Sequence, residues 1–375
     1  MKILHLIDSG GLYGAEKMLL SLVQEQLKQG LEPMILSAGE LDIEAKPIEV
    51  EATRKGLPVT AWRMAPGLNL KESNRILKWA QRVGYDLLHS HGFKFNVLFG
   101  IYPLWVRRIP MVSTLHGYVQ APRFSKLWIY EYIDRLVIRN MQGIVLVSES
   151  MKTGLPKHLL ARSTEVIPNG LNIDELERSA ETKLSEPLAS FVHSHKPVII
   201  GVGRLSPEKG FDSLISAFFD LKQKHPNAGL IIVGDGGLRA QLESMIRRFD
   251  FGGSVLMPGY CDEVPALLSS ATVLVMPSLT EGLPIALLEA MSLNTSIVAS
   301  AVGEIPEVLG DGCGGTLLND TKPETIVKAI ECCITETGKS SNKAQWAYDV
   351  VKCRYSSEVM SARYRIFYSR LVGIS

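Results

Sequence analysis

Cysteine is scarce, with five in 375 residues: Cys261, Cys313, Cys332, Cys333 and Cys353. None stands in a C-x-x-C pair, which argues against a disulfide framework and a cysteine metal cluster. The odd count suits free thiols in a reducing compartment. No apolar run approaches the roughly 18 residues that a membrane span needs. The longest, 97–106, contains Gly100 and Pro103. A dominant charge is also missing: 40 basic against 39 acidic residues leave a net charge of +1. Nothing global therefore draws the chain to nucleic acid. The opening MKILHLIDSGG is interrupted by Asp8, so it is expected to be a buried strand rather than a signal peptide. Internal repeats and low-complexity tracts are absent as well. The expectation is a cytoplasmic protein, peripheral at most on the inner face of the plasma membrane.

What is present is alternation. Short apolar runs at 3–7, 33–37, 59–62, 87–90, 111–115, 144–147 and 165–167 are separated by helical patterns such as 15–29 and 70–83. Continuous apolar strands with helices between them imply a parallel sheet covered on both faces. The alternation lapses over 173–196, a polar stretch containing Pro187, and is expected to be a linker with a surface helix. It restarts with strands at 198–202, 230–233, 255–257, 273–276, 297–300 and 316–318. The fold expected is α/β, with two doubly wound Rossmann-like domains at 1–172 and 197–354. The aromatic-rich helical end caps a core or, as 355–375, crosses back to complete the first domain. In such sheets ligands bind beyond the carboxyl ends of the strands, so two domains facing across a cleft would place polar groups there.

Three segments fall at expected strand ends. The first is Asp8-Ser9-Gly10-Gly11, with a helix following. Its glycines would let backbone amides approach an anion, although a structural turn accounts for it equally. The spacing is neither a dinucleotide fingerprint nor a P-loop. The second is Gly203-Arg204-Leu205-Ser206-Pro207-Glu208-Lys209. Arg204 and Lys209 at a helix entrance suit a diphosphate; the alternative is a surface salt bridge to Glu208 or Asp212. The third is the sharpest: Glu281-Gly282-Leu283-Pro284-Ile285, then Glu289, two carboxylates flanking seven residues. Pro284 suits a first helical turn. Gly282, Leu283 and Ile285 can turn amides toward an anion there. Apolar neighbours argue against Glu289 being merely a solvated face residue.

At these residues the chain resembles the retaining family-four glycosyltransferases of GT-B fold, across nearly its whole length. The resemblance implies that Glu281 contacts donor-sugar hydroxyls and Glu289 holds the ribose diol. It places Arg204 and Lys209 on the donor diphosphate and Gly10-Gly11 facing diphosphate and acceptor. Gly203, Gly234 and Asp235 match glycine turns of the donor domain; Tyr260 and Cys261 fall where the backbone meets the nucleotide base. His116 resembles the family histidine beside the sugar. Glu304 stands where the family has a small residue, which bears on the donor sugar. The activity implied is transfer of a hexose or N-acetylhexosamine from a nucleotide-sugar, UDP before GDP, to a glycan or lipid-linked acceptor. No metal and no other cofactor is expected. The alternatives are a non-catalytic nucleotide-sugar-binding protein, or an epimerase or phosphorylase on the same fold.

Two features stay open in the sequence. His89 and His91 share one side of a strand, and His91 could approach the acceptor; no third ligand has recognisable metal spacing. The segment 105–140 mixes Arg107, Arg108, Arg123, Lys126, Arg135 and Arg139 with six aromatics. It reads equally as an anionic membrane surface or as a packed helix with a solvated basic face.

Overall fold

The computed structural model describes residues 1–8, 10–12, 14–116, 126–154 and 163–373, with backbone alone for 126–131, 150, 153 and 154. The chain divides into two units: Met1–Gly170 with Ser357–Ser375, and Leu171–Ser356.

In the first unit the strands are β1 (Lys2–Ile7), β2 (Glu32–Gly39), β3 (Val59–Arg63), β4 (Leu87–Ser90), β5 (Met111–Leu115), β6 (Gly143–Leu146) and β7 (Thr164–Val166). All pair in parallel, in the order β3-β2-β1-β4-β5-β6-β7. Nearly every residue of β1, β4, β5 and β6 is buried, as expected of a sheet packed on both faces. The chain runs outward from β1 to β3, then returns to lay β4 beside β1. The β1–β4 crevice is therefore the topological switch point, where ligands bind in such sheets.

The second unit repeats the plan with β8 (Val198–Val202), β9 (Gly229–Val233), β10 (Val255–Gly259), β11 (Val273–Met276), β12 (Ser296–Ser300) and β13 (Thr316–Leu318). The order is β10-β9-β8-β11-β12-β13, again all parallel. Its switch point lies between β8 and β11.

The stretch 173–196 differs from the expected linker. It folds as two helices of the second unit, Ile173–Ala180 and Glu186–Ser194. Asn172 caps the first, accepting from the Glu175 amide at 3.1 Å. Pro187 lies in the first turn of the second, where its missing N–H breaks nothing. Leu188 and Phe191, one turn apart, bury into the core with Ile173. Polarity on the outer face hid an ordinary amphipathic pattern.

The aromatic end divides at Tyr355. The helix Thr337–Arg354 packs in the second unit through Ala347 and Val351. The helix Ser357–Val372 belongs to the first unit, where Met360, Tyr364, Phe367 and Tyr368 pack with Ile3, Leu87 and Val145.

Candidate functional site

The second unit's switch point gathers residues far apart in sequence. Past β8, Gly203 and Arg204 lead to the turn Pro207–Lys209. Past β11, Pro277 and Ser278 lead to Glu281. Lys209 Nζ donates to Glu281 Oε1 at 2.6 Å, and Ser278 Oγ donates to the same oxygen at 2.7 Å. The Glu281 side chain is 8% exposed and that of Lys209 20%. Lys209 thus pairs with Glu281 across the crevice rather than with Glu208 or Asp212 beside it. Oε1 is held by two donors, so a bound molecule would meet Oε2. Arg204 is exposed at the rim.

Close backbone approaches hold these loops. Gly210 has φ +65°, and a Cβ there would collide with the Pro277 carbonyl; at Gly303, φ +59°, it would collide with the Glu281 carbonyl. Leu279 N donates to Glu208 O at 2.8 Å, and Glu304 N to Gly282 O at 3.3 Å. Glycine at 303 thus lets the loop after β12 clamp the Glu281 backbone. Pro284 caps the helix Ile285–Ser292, inside which Glu289 is half-buried. The amides of this first turn lie at the helix's positive end.

The other expected donor residues lie on neighbouring turns. Gly234 N donates to Gly259 O at 2.9 Å, and Gly203 N to Val233 O at 3.0 Å. Asp235 Oδ1 accepts from Gly236 N, and its Oδ2 lies 3.5 Å from Arg239. Tyr260 is exposed, and Cys261 Sγ accepts from Glu263 N at 3.3 Å. Burial pushes the Cys261 thiol up from its ordinary pKa. These two border a hollow of about 460 Å³ that Ser185, Pro187 and Leu188 also line. The stretch expected as a linker therefore walls a candidate ligand hollow.

In the first unit four histidines cluster, His5 and His89 within β1 and β4, His91 and His116 just past β4 and β5. His5 Nε2 donates to Gln26 Oε1 at 2.8 Å. His5 Nδ1 is then a lone pair, which His91 Nε2–H meets at 3.0 Å. This leaves His91 Nδ1 as a buried lone pair without a hydrogen-bond partner among the described residues. His89 bonds Tyr368 OH at 2.6 Å and Thr114 Oγ1 at 2.7 Å, and Thr114 continues to Tyr364 OH at 2.8 Å. His116 follows β5 and stacks on His91, ring centroids 5.8 Å apart. Its Nε2 also has no partner among the described residues. Desolvation pulls His5 and His116 from 6.5 down to about 4, and His89 and His91 well below 6.5. The cluster is neutral near pH 7.

The third imidazole that sequence spacing did not offer is His5, brought opposite His89 by the β1–β4 register. Ligand atoms of His5, His89 and His91 all lie within 4.8 Å. However, His5 and His89 use both ring nitrogens, so a metal would have to break hydrogen bonds already made.

Two further expectations meet the structure. Gly10 is exposed, with open space where a Cβ would stand, and Gly11 follows it. In the basic-aromatic segment, Arg107 is not a surface charge. It is fully buried, donating to the carbonyls of Phe99, Tyr102, Ile109 and Asn140 and to Gln142 Oε1. Burial lowers its pKa to about 10. Its planar fork suits a knot of carbonyls better than a membrane face. Trp105 is 79% exposed, and Arg108 and Arg139 are exposed. Arg123, Tyr118 and Phe124 lie outside the described residues, as do the side chains of Lys126, Trp128 and Tyr130. Among the described residues no helix is long and apolar enough to cross a membrane.

Comparison with known proteins identifies the family and the fold. The model of the glycosyl transferases group 1 matches residues 188–348, and that of glycosyltransferase family 4 matches residues 13–175. An uncharacterised glycosyltransferase of Methanocaldococcus jannaschii is 28% identical over 300 residues, covering 76% of this chain and 70% of that protein. The UDP-Gal:α-D-GlcNAc-diphosphoundecaprenol α-1,3-galactosyltransferase of Escherichia coli is 25% identical over 271 residues, 70% of each chain. Among solved structures, Anabaena HepE in complex with UDP superposes with a TM-score of 0.78 at 22% identity, covering 99% of this chain and 100% of that one.

Proposed function

Because the chain belongs to the family 4 glycosyltransferases of GT-B type, we propose that it is a retaining transferase. It moves a hexose or N-acetylhexosamine from a UDP-sugar to a glycan or lipid-linked acceptor. The observation that carries this reading is the Lys209–Glu281–Ser278 constellation at the β8–β11 switch point. The galactosyltransferase relative takes UDP-Gal, and HepE binds UDP; both favour uridine over guanosine.

Transfer breaks the bond from the anomeric carbon to a phosphate oxygen, and negative charge develops on the departing diphosphate. Lys209, Arg204 and the first-turn amides of Ile285–Ser292 supply a preorganised positive field for it. With these cations in the chain, no divalent metal is required by charge. Glu281, fixed through Oε1, offers Oε2 to a sugar hydroxyl. Glu289 takes the ribose diol, and Tyr260 and Cys261 border the base. Retention follows if the acceptor oxygen attacks on the face the diphosphate leaves. The leaving phosphate oxygen then takes the acceptor's proton. Water must be kept away, because hydrolysis competes.

Thermal shift against UDP, GDP and their sugar conjugates, with and without magnesium, tests the donor. A ligand at 100 times its Kd adds about 2.7 kcal/mol of apparent stability. A UDP-selective, magnesium-independent shift is expected. A folded protein that responds to no nucleotide would sink the donor assignment. Retention is read from the anomeric configuration of the product by NMR; an inverted product overturns it. Trp105, with Leu104, Arg108 and Arg139, offers a surface for anionic lipid near a lipid-linked acceptor. Flotation with anionic liposomes at low salt is expected to carry the protein upward and to weaken in Trp105→Ala. Protein that stays at the bottom of the gradient argues for the solvated-face alternative.

A further inference from the structure

The first unit's switch point carries a charge imbalance that no role assigned above uses. Asp8 leaves β1 there. Its Oδ1 accepts from Lys46 Nζ at 2.7 Å, and its Oδ2 lies 2.7 Å from Lys94 Nζ. Lys46 comes from just before the helix Pro47–Arg54, and Lys94 from the first turn of Phe93–Gly100. The nearby Glu49 does not balance the second ammonium. Arg63 takes both its oxygens in a fork, at 2.8 and 2.7 Å, and the Lys46 amide donates to it at 3.1 Å. Two ammoniums therefore share one carboxylate, and the next carboxylate is already matched by a guanidinium. Among these five groups one positive charge is in excess.

The arrangement is built into the fold. The Lys46 side chain is only 7% exposed and runs past Gly39, where a Cβ would stand 3.2 Å from Lys46 Cε. A nearly buried cation in excess is costly unless an anion meets it. The side chains of Lys94 and Asp8 are 20% and 26% exposed, so an anion can reach the pair. Burial raises the Asp8 carboxyl, but hydrogen bonds from Lys46 and Lys94 outweigh that and hold it below its ordinary value. Gly10, two residues on, is exposed with open space before it. The 15-residue helix Gly14–Lys28 then begins, its positive end accompanied by the buried Glu16 of its first turn.

We propose that Lys46 and Lys94 form a phosphate-binding subsite at the β1–β4 switch point, and that the phosphate is carried by the acceptor. This rests on the transferase reading and narrows its acceptor class. One excess positive charge matches the single charge of a phosphodiester, and each ammonium has donor hydrogens left for its oxygens. An acceptor presenting an amine at this spot would be repelled.

Calorimetric titration of the full chain with inorganic phosphate, under saturating UDP, reads the subsite directly. Wild-type protein is expected to bind, and Lys94→Gln to weaken binding about tenfold, the equivalent of ~1.4 kcal/mol. Asp8→Asn removes the competing carboxylate and is expected to tighten phosphate severalfold, a gain that a purely structural ion pair does not produce. Circular dichroism verifies that both variants are folded. The UDP Kd of the same variants separates the two sources of phosphate. An unchanged value in Lys94→Gln supports the acceptor. UDP that weakens there, or that displaces inorganic phosphate, moves the subsite to the donor diphosphate and overturns the acceptor assignment. Phosphate binding that is absent from wild type, or indifferent to both substitutions, overturns the subsite. If UDP itself failed to bind, the transferase reading would fall, while titration with phosphate alone would still decide the subsite.

Discussion

The two units solve the same placement problem with opposite allocations of charge. Each has a parallel sheet whose order reverses at one crevice, β1–β4 in the first and β8–β11 in the second. At each crevice lysine meets a carboxylate. In the second unit one lysine and one serine share a single oxygen of Glu281, leaving the other oxygen for a ligand. In the first unit two lysines occupy both oxygens of Asp8, leaving ammonium hydrogens for a ligand. The first arrangement presents an acceptor of hydrogen bonds, suited to sugar hydroxyls. The second presents donors, suited to an anion. One topology thus yields crevices of opposite chemistry, set by how many cations converge on the carboxylate.

The comparison breaks most severely at Lys209. Lys209→Ala removes both the tether on Glu281 and a positive charge meant for the leaving diphosphate. Turnover is expected to fall ~10²–10³-fold, or ~2.7–4 kcal/mol, as on losing one preorganised donor. UDP affinity should fall with it. Unaltered turnover in steady-state assays would remove Lys209 from the chemistry. The first unit's fold should be untouched.

The next effect belongs to the first unit. Unfolded, His5 takes up a proton near pH 6.5; folded, burial holds it back to about 4. Between those values the unfolded chain binds more protons. Stability is therefore lost as pH falls through that window and levels off below it. For His5 alone the loss is about 3 kcal/mol, and His89 and His91 shift in the same direction. Thermal melts from pH 7.5 to 4 should show this acid limb, shallower in His5→Gln. An identical pH dependence in that variant would mean that His5 titrates as an exposed imidazole does.

These two effects also differ in how legible they were. The central strands were visible as short apolar runs, because sheets buried on both faces leave no room for polar alternation. The edge strands β3, β7 and β10 are only half-buried and carry polar residues such as Thr60 and Glu165. Lys209 and Glu281, which the structure pairs, were visible because each lies in a compact segment beside a strand end. Asp8, Lys46 and Lys94 were not seen as a group. Lys46 lies 38 positions from Asp8, and only the β1–β2 and β1–β4 pairings converge them. His5 escaped for the same reason, since strand register rather than spacing sets it against His89. Ser278 could have been found, lying three residues before Glu281 in the same loop. Arg107 and 173–196 misled because a charge or a polar face in sequence does not reveal what packs behind it.

A smaller effect sharpens how the second crevice is held. Gly303→Ala would drive a Cβ into the Glu281 carbonyl at a φ that side chains rarely adopt. A stability loss of ~1–3 kcal/mol is expected, together with weaker turnover, because the Glu281 loop must shift. Unchanged melting and activity would show that the loop after β12 does not brace Glu281.

The finest test separates the two holders of Glu281 Oε1. Ser278 is nearly fully buried, so removing its hydroxyl leaves no water-filled gap at the surface. Ser278→Ala deletes one hydrogen bond while keeping the Lys209 ion pair, which bounds its effect at about 0.5–1.5 kcal/mol. If that bond mainly stabilises the fold, melting falls and turnover does not. If it aims the carboxylate, kcat falls up to about tenfold while UDP affinity, which does not involve Glu281, stays constant. Ser278→Thr retains the hydroxyl and should restore most of kcat. Equal losses in Ala and Thr variants would assign the effect to packing against β11 rather than to the hydrogen bond. The second crevice would then depend on Lys209 alone to orient its carboxylate, one cation where the first crevice uses two.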